Sequence, residues 1–184
     1  MSKSKSKSKP KPQRVLITAP HAYTLSRSDN VGDATSAASA RALAHALHDA
    51  GVDVTVMVAP SDIHRSRLDR NRARASAASD PWVQSVRTEI DARTLLLDVH
   101  SFPFLERHYL LTASTPAVQT NTAPLVESLQ TQAGWDVRQG SRINHIINDL
   151  SAKWAVLLET PDATSITRPW LADTVRCVKD FLDD

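Results

Sequence analysis

The chain has 184 residues, enough for one domain with a hydrophobic core but short for two domains. Hydrophobic residues make up 41%, as in globular proteins, and no apolar run approaches the roughly 20 residues needed to cross a bilayer. The formal net charge is +2, but residues 1–13 hold five lysines and no acidic residue, so the remainder stands at −3. Residues 14–184 are therefore not the basic domain of a nucleic-acid-binding protein.

Residues 1–13 alternate serine with lysine and contain no apolar residue beyond Met1. Such a segment cannot offset the entropy that it would lose on ordering. We therefore expect a disordered tail at 1–13 and a single domain at 14–184. The tail is either solvated or makes weak contact with a polyanion through its lysines. It lacks the apolar stretch of a secretory signal, and Cys177 is the one cysteine, so we expect a cytoplasmic protein without membrane contact.

Strand and helix patterns alternate along most of the chain. The predicted strands cover 14–20, 52–60, 93–101, 108–114, 135–140 and 153–161. The predicted helices cover 32–51, 79–92, 122–134 and 168–184. This order predicts an α/β domain, a three-layer α/β/α sandwich with a central, mostly parallel or mixed sheet. The first helix is expected to be capped by Asp33, and the second to begin near Ser79 or Asp80.

Three predicted strands end in residues that can do chemistry. His21 follows the first strand, His100 ends the third and Glu159 ends the last. In sheets of this type, ligands bind beyond the carboxyl ends of the strands. We therefore expect these three side chains to converge on one site.

Two imidazoles and one carboxylate are a common ligand set for catalytic zinc. Asp33 is the preferred carboxylate and Asp29 is its nearest rival, although Asp33 could also serve only as a helix cap. Asp98 lies two residues before His100 and so faces the same side of the strand. It could orient His100, or it could be bonded to backbone amides instead.

Glu159 ends an apolar strand, where a carboxylate is costly unless it is paired or used. It could act as a general base beside a metal, or it could form a salt bridge with an arginine. His145 is the best additional candidate for the site. The segment 64–72, HRSRLDRNR, contains four arginines, which suit a substrate with one or two carboxylates but also suit a solvated surface.

These motifs, in this order, resemble the N-formylglutamate amidohydrolase family. The matching stretches are Pro20-His21-Ala22, Gly32-Asp33-Ala34, Ser66-Arg67-Leu68-Asp69-Arg70-Asn71-Arg72, Asp98-Val99-His100-Ser101-Phe102-Pro103 and Leu158-Glu159. The resemblance covers roughly residues 14–182.

The resemblance implies a phosphorylase/hydrolase-like fold similar to that of zinc carboxypeptidases. It also implies that Zn²⁺, or a similar divalent metal, assists hydrolysis of the amide of an N-acyl amino acid or peptide-like small molecule. By position, the metal ligands would be His21, Asp33 and His100, and the catalytic carboxylate would be Glu159. The side chains holding the substrate would be Arg67, Asn71 and Arg72. The alternatives are a binding module of the same fold without turnover, and an accessory protein that binds polyanions through its tail.

Overall fold

The computed structural model describes residues 11–21, 35–60, 68–72, 78–102, 108–140, 145–161 and 169–184. The strands in these ranges are β1 (Arg14–Ala19), β2 (Val54–Val58), β3 (Thr94–Phe102), β4 (Tyr109–Thr112), β5 (Asp136–Gln139) and β6 (Trp154–Pro161). The helices are α1 (Ser36–Asp49), α2 (Pro81–Glu89), α3 (Pro116–Gln132), α4 (His145–Asp149) and α5 (Pro169–Asp183). The six predicted strands are all confirmed, with bounds shifted by one or two residues.

The strands form one mixed sheet in the order β2-β1-β3-β6-β4-β5. Strands β2, β1, β3 and β6 are parallel, whereas β4 runs antiparallel to β6 and parallel to β5. The carboxyl ends of β1, β3 and β6 therefore meet at one edge of the sheet, together with the beginning of β4. This edge is where the candidate site residues were expected.

Helices cover both faces of the sheet, so the predicted three-layer sandwich is confirmed. One hydrophobic cluster packs α1, α3 and α5 against strand residues such as Leu95 and Leu97. The other packs α2 and α4 against the opposite face, which includes Leu96. Because side chains alternate along a strand, Asp98 and His100 belong to the face that α2 and α4 cover.

Three helices differ from the prediction. Helix α1 begins at Ser36 with Thr35 as its N-cap residue, so the prediction that Asp33 caps it is wrong. The backbone N–H of Thr35 donates to Ser101 Oγ at 3.2 Å, and this bond connects the start of the helix to β3. Helix α3 begins at Pro116, because proline suits a first turn, and it accommodates Pro124 inside. Helix α4 spans five residues, too few to give a periodic signal.

Helix α2 begins as predicted. Asp80 is its N-cap residue, and one carboxylate oxygen accepts the backbone N–H groups of Trp82 and Val83, each at 3.1 Å. Pro81 occupies the first helical position, where a missing N–H costs nothing. In the part of the chain that the structure describes, no helix is both long and apolar enough to cross a membrane.

The chain makes contacts before β1 begins. Pro12 is buried, the backbone N–H of Gln13 donates to Arg93 O at 2.8 Å, and Arg93 donates to the Gln13 side chain at 3.1 Å. These contacts join residues 12–13 to the domain, whereas residues 1–10 of the predicted tail lie outside the described residues.

Two truncations should therefore differ. Deleting residues 1–10 should leave the melting temperature unchanged, since this segment has nothing apolar to bury. Deleting residues 1–13 should lower the melting temperature, because it also removes the Gln13–Arg93 bonds and the burial of Pro12. Thermal unfolding of both proteins beside the full chain checks this, and an equal effect of the two deletions would contradict it.

Candidate active site

The two candidate histidines lie side by side. His21 follows β1 and His100 lies in β3, the parallel neighbour of β1. Their ring centroids are 5.0 Å apart with an interplanar angle of 72°, and the residues are 3% and 4% exposed. The structure thus brings together two imidazoles that are 79 positions apart in the sequence.

Each imidazole is bonded to a carboxylate through Nε2. His21 Nε2 lies 2.8 Å from Asp69 Oδ1, and His100 Nε2 lies 2.9 Å from Asp98 Oδ2. The other oxygen of Asp98 accepts the hydroxyl of Thr18 at 2.7 Å. A carboxylate favours the tautomer that carries its proton on Nε2, which puts the lone pair on Nδ1. Metal-binding histidines are commonly oriented in this way by carboxylates.

Asn71 contacts both His100 and α4. Its Oδ1 accepts the backbone N–H of Ile146 at 3.2 Å, which orients the amide so that Nδ2 lies 3.1 Å from His100 Nε2. Nε2 cannot donate to Asp98 and accept from Asn71 at once. We assign the proton to Nε2, because the bond to Asp98 is shorter and charge-assisted.

The chain just after β5 requires a glycine beside β4. Gly140 donates its N–H to Thr112 O at 2.9 Å, and a Cβ at this position would collide with the same carbonyl group. Glycine, which has no Cβ, therefore permits the chain to approach the backbone of β4 this closely. Helix α4 follows and carries Ile146, whose N–H holds Asn71.

Glu159 lies beside His100 in the sheet. The two residues are register partners in the parallel pair β3–β6, so their Cα atoms lie about 5 Å apart and their side chains share a face. On its other side Glu159 is the register partner of Tyr109 in β4. The strand that ends in Glu159 is thus the direct neighbour of the strand that carries His100.

The segment Leu68–Arg72 is held by carboxylates. Asp69 accepts not only from His21 but also from the backbone N–H of Asn71 at 3.0 Å and from Arg72 Nε at 3.2 Å. Arg70 is buried and pairs with both oxygens of Asp80, at 3.1 and 3.3 Å. One arginine of this motif is thus an anchor to α2.

Asp69 was not among the predicted functional residues. Its position two residues before Asn71 in DRNR was the available signal, but only the fold brings it to His21. Of the predicted substrate-holding residues, Asn71 is 5% exposed and its amide contacts protein groups at both ends. Arg72 is partly exposed and bonded to Asp69.

Most of the remaining predicted residues are not described. Asp33, its rival Asp29 and Arg67 lie outside the described residues, while His145 is the first residue of α4. Within the described ranges, no group of three or more histidine, cysteine, aspartate or glutamate side chains is arranged to hold a metal ion. The structure therefore describes two of the three predicted ligands.

An aromatic cluster borders the same edge of the sheet on the opposite face. The ring of His108 lies 5.2 Å from that of Trp135 and 5.1 Å from that of Trp170, and Trp135 Nε1 donates to Thr174 at 3.0 Å. Burial among these rings lowers the pKa of His108, because the charged imidazolium loses hydration.

A cavity of about 650 Å³ lies between α3 and α5, and its lining includes Trp154 and Phe181. Trp154 begins β6, five residues before Glu159. At about 3.3 Å per strand residue, this is the other end of the strand. The cavity is therefore separate from the candidate site.

Comparison with solved structures shows a shared fold. The gene product Atu2144 from Agrobacterium tumefaciens has a TM-score of 0.62 and 16% identity, covering 93% of this chain and 89% of the other. The CwlD amidase from Clostridioides difficile has a TM-score of 0.59 and 12% identity, with 92% and 98% covered. The N-acetylmuramyl-L-alanine amidase Ami1 from Mycobacterium smegmatis has a TM-score of 0.56 and 11% identity, with 94% and 98% covered.

The chain thus has the α/β fold found in amidase catalytic domains. The sequence matches no protein-family model and no curated protein. Membership of the N-formylglutamate amidohydrolase family is not confirmed and stays a prediction.

The ion pair between Arg70 and Asp80 gives a stability prediction. Arg70→Met should lower the free energy of unfolding by about 3–5 kcal/mol, the usual cost of leaving a buried charge without its partner. Arg72→Met is the matched control and should cost much less, because Arg72 is about one-third exposed. Urea unfolding of both variants measures the difference, and equal losses would contradict the anchoring role of Arg70.

Proposed function

We propose that this protein is a metal-dependent amidohydrolase that cleaves the amide of an N-acyl amino acid. One observation carries the proposal: His100 and Glu159 are register partners at the end of neighbouring strands, with the His21 ring 5.0 Å from that of His100. Two buried imidazoles beside a carboxylate suit metal-assisted hydrolysis better than they suit a hydrophobic binding pocket.

Two of the described residues suit the role of metal ligands. His21 and His100 are buried, adjacent and each bonded through Nε2 to a carboxylate, so both have the tautomer that a metal-binding histidine needs. They would hold Zn²⁺ or a similar divalent ion, and Asp33 is the predicted third ligand. When bound, such an ion acts as a Lewis acid that polarises a carbonyl group and acidifies water.

Glu159 is the proposed proton carrier. Its carboxylate would take a proton from the attacking water and return one to the departing nitrogen, which must leave as a neutral amine. Asp98, itself bonded to Thr18, would orient His100, and Asp69 would do the same for His21. Asn71, held by the backbone N–H of Ile146, would pack its amide against His100.

Two sources suggest the substrate class. One amidase of similar fold, Ami1, is named as an N-acetylmuramyl-L-alanine amidase, that is, for an acyl group on the amine of L-alanine. The sequence motifs resemble a family whose substrate carries a formyl group on the amine of glutamate. Both substrates are N-acyl amino acids in the chemical sense, and N-formylglutamate is the specific candidate that we propose to test first.

The metal ligands can be tested by metal analysis. The purified wild-type chain should contain about one equivalent of zinc or a similar divalent ion. His21→Ala or His100→Ala should abolish stoichiometric metal, whereas His45→Ala, which alters an exposed histidine on α1, should not. Tight retention of one equivalent by the His100 variant would refute the assignment.

Glu159→Gln tests the proton carrier. The variant keeps the size of the side chain but cannot cycle a proton, so kcat for an N-acyl amino acid should fall by about 10²-fold or more with metal retained. Glu127→Gln, on the exposed side of α3, is the control. Near-normal turnover by the Glu159 variant would point to another base, and His145 would be the next residue to test.

If metal-loaded wild type hydrolyses no N-acyl amino acid in a panel of formyl and acetyl derivatives, the proposed activity is wrong. The binding-module alternative would then be preferred.

A further inference from the structure

An arginine stacks on a tyrosine next to Glu159. The guanidinium carbon of Arg138 lies 3.6 Å from the centroid of the Tyr109 ring. Tyr109 is half-buried, whereas Arg138 is exposed. Stacking at this distance already restricts the rotamers of the arginine side chain. Binding of a ligand would therefore cost it less conformational entropy.

The pair lies on the same face of the sheet as the candidate site. Tyr109 is the register partner of Glu159, and Arg138 is the register partner of Leu111, two residues further along β4. Side chains two residues apart on a strand share a face, so Arg138 projects on the face of Glu159 and His100. Strand β5 lies two strand spacings, about 10 Å, from β6, but the side chain of Arg138 reaches back to the ring of Tyr109, which is the neighbour of Glu159.

The chemistry of Arg138 suits an anion. Stacking uses the face of the guanidinium and leaves its N–H groups in the plane, where they can bind a carboxylate with two bonds. Four of the other described arginines are paired with carboxylates, namely Arg14, Arg70, Arg72 and Arg176. Asp136 shares the face of Arg138, but the described contacts include no ion pair between them.

We propose that Arg138, held by the ring of Tyr109, binds the α-carboxylate of the substrate. The inference rests on the proposed function and narrows it: the substrate is an N-acyl amino acid with a free carboxylate, not an internal residue of a peptide. In such a molecule one residue length, about 3.6 Å, separates the reacting carbonyl carbon from the carboxylate carbon. With the carboxylate C–O bond, a charge-assisted hydrogen bond of about 2.8 Å and the guanidinium C–N bond added, the guanidinium carbon would lie at most about 9 Å from the reacting carbon.

Arg138 is better suited to this role than Arg72. The Nε of Arg72 is bonded to Asp69, the carboxylate that orients His21. A substrate carboxylate bound side-on to the Nε edge of Arg72 would compete for that bond and disturb the carboxylate that holds His21. Arg138 can engage a carboxylate without loosening any hydrogen bond of the candidate site.

The test compares an N-acyl amino acid with its α-carboxamide. Arg138→Met should raise KM for the acid about tenfold or more, as expected for losing charge-assisted bonds, while kcat for the acid and KM for the amide stay near wild type. Arg138→Lys should recover only part of the loss. Arg176→Met removes an exposed arginine from α5, on the other face of the sheet, and should leave KM unchanged for both the acid and the amide.

The tyrosine is tested separately. Tyr109→Leu removes the stacking ring and should raise KM for the acid. Tyr109→Phe keeps the ring, so its KM for the acid should stay near that of the wild type. Calorimetric binding of both ligands to Glu159→Gln, with and without Arg138→Met, gives the same comparison without turnover.

Unchanged affinity of the Arg138 variants for the acid would overturn the proposal, as would an equal loss for acid and amide. Either result with an active wild type would leave the amidohydrolase function in place. Absence of hydrolysis by the wild type would refute that function, and the calorimetric comparison would then decide whether Arg138 binds carboxylates. Absence of both hydrolysis and binding would refute both.

Discussion

The carboxylate of Asp98 is completely buried in the middle of the sheet. A charge in this position is costly unless hydrogen bonds surround it. Thr18 on the neighbouring strand satisfies one oxygen and His100 satisfies the other. The bond from Thr18 joins β1 to β3, and the bond to His100 selects the tautomer of that imidazole, so the interactions that stabilise the carboxylate also orient the imidazole. The orientation of His100 in the candidate site therefore depends on this one buried residue.

Sheet topology supplies the other half of the site. Because β3 and β6 are parallel neighbours, residues 100 and 159 meet without any contribution from the connecting loops. The antiparallel β4 then begins at the edge where β6 ends, which brings Tyr109 beside Glu159. A fully parallel sheet would have put the carboxyl end of β4 there instead. Because β5 is parallel to β4, it also begins near this edge, and Arg138 can stack on Tyr109 beside the candidate site.

Much of this arrangement could be predicted from the sequence. The apolar runs that precede His21, His100 and Glu159 are recognisable as strands that end in polar residues. The sandwich follows from the alternation of strands and helices. Contacts that depend on loop paths carried no such signal. Asp69 and Arg70 are adjacent in one charged motif, yet Asp69 orients His21 while Arg70 is buried against Asp80. Composition cannot separate these roles, because only the fold decides which charge is buried.

The antiparallel direction of β4 was equally invisible, since short strands such as Tyr109–Thr112 read the same in either direction. Arg138 therefore looked like an ordinary residue of an edge strand. Its position matters because the amidase-like fold is shared at 11–16% identity with the structures compared above, so the fold by itself does not determine the substrate. Side chains at the rim of the site must do so. An arginine already held against a ring loses less entropy on binding than a mobile one, which favours Arg138 as the residue that discriminates between a free carboxylate and a peptide bond.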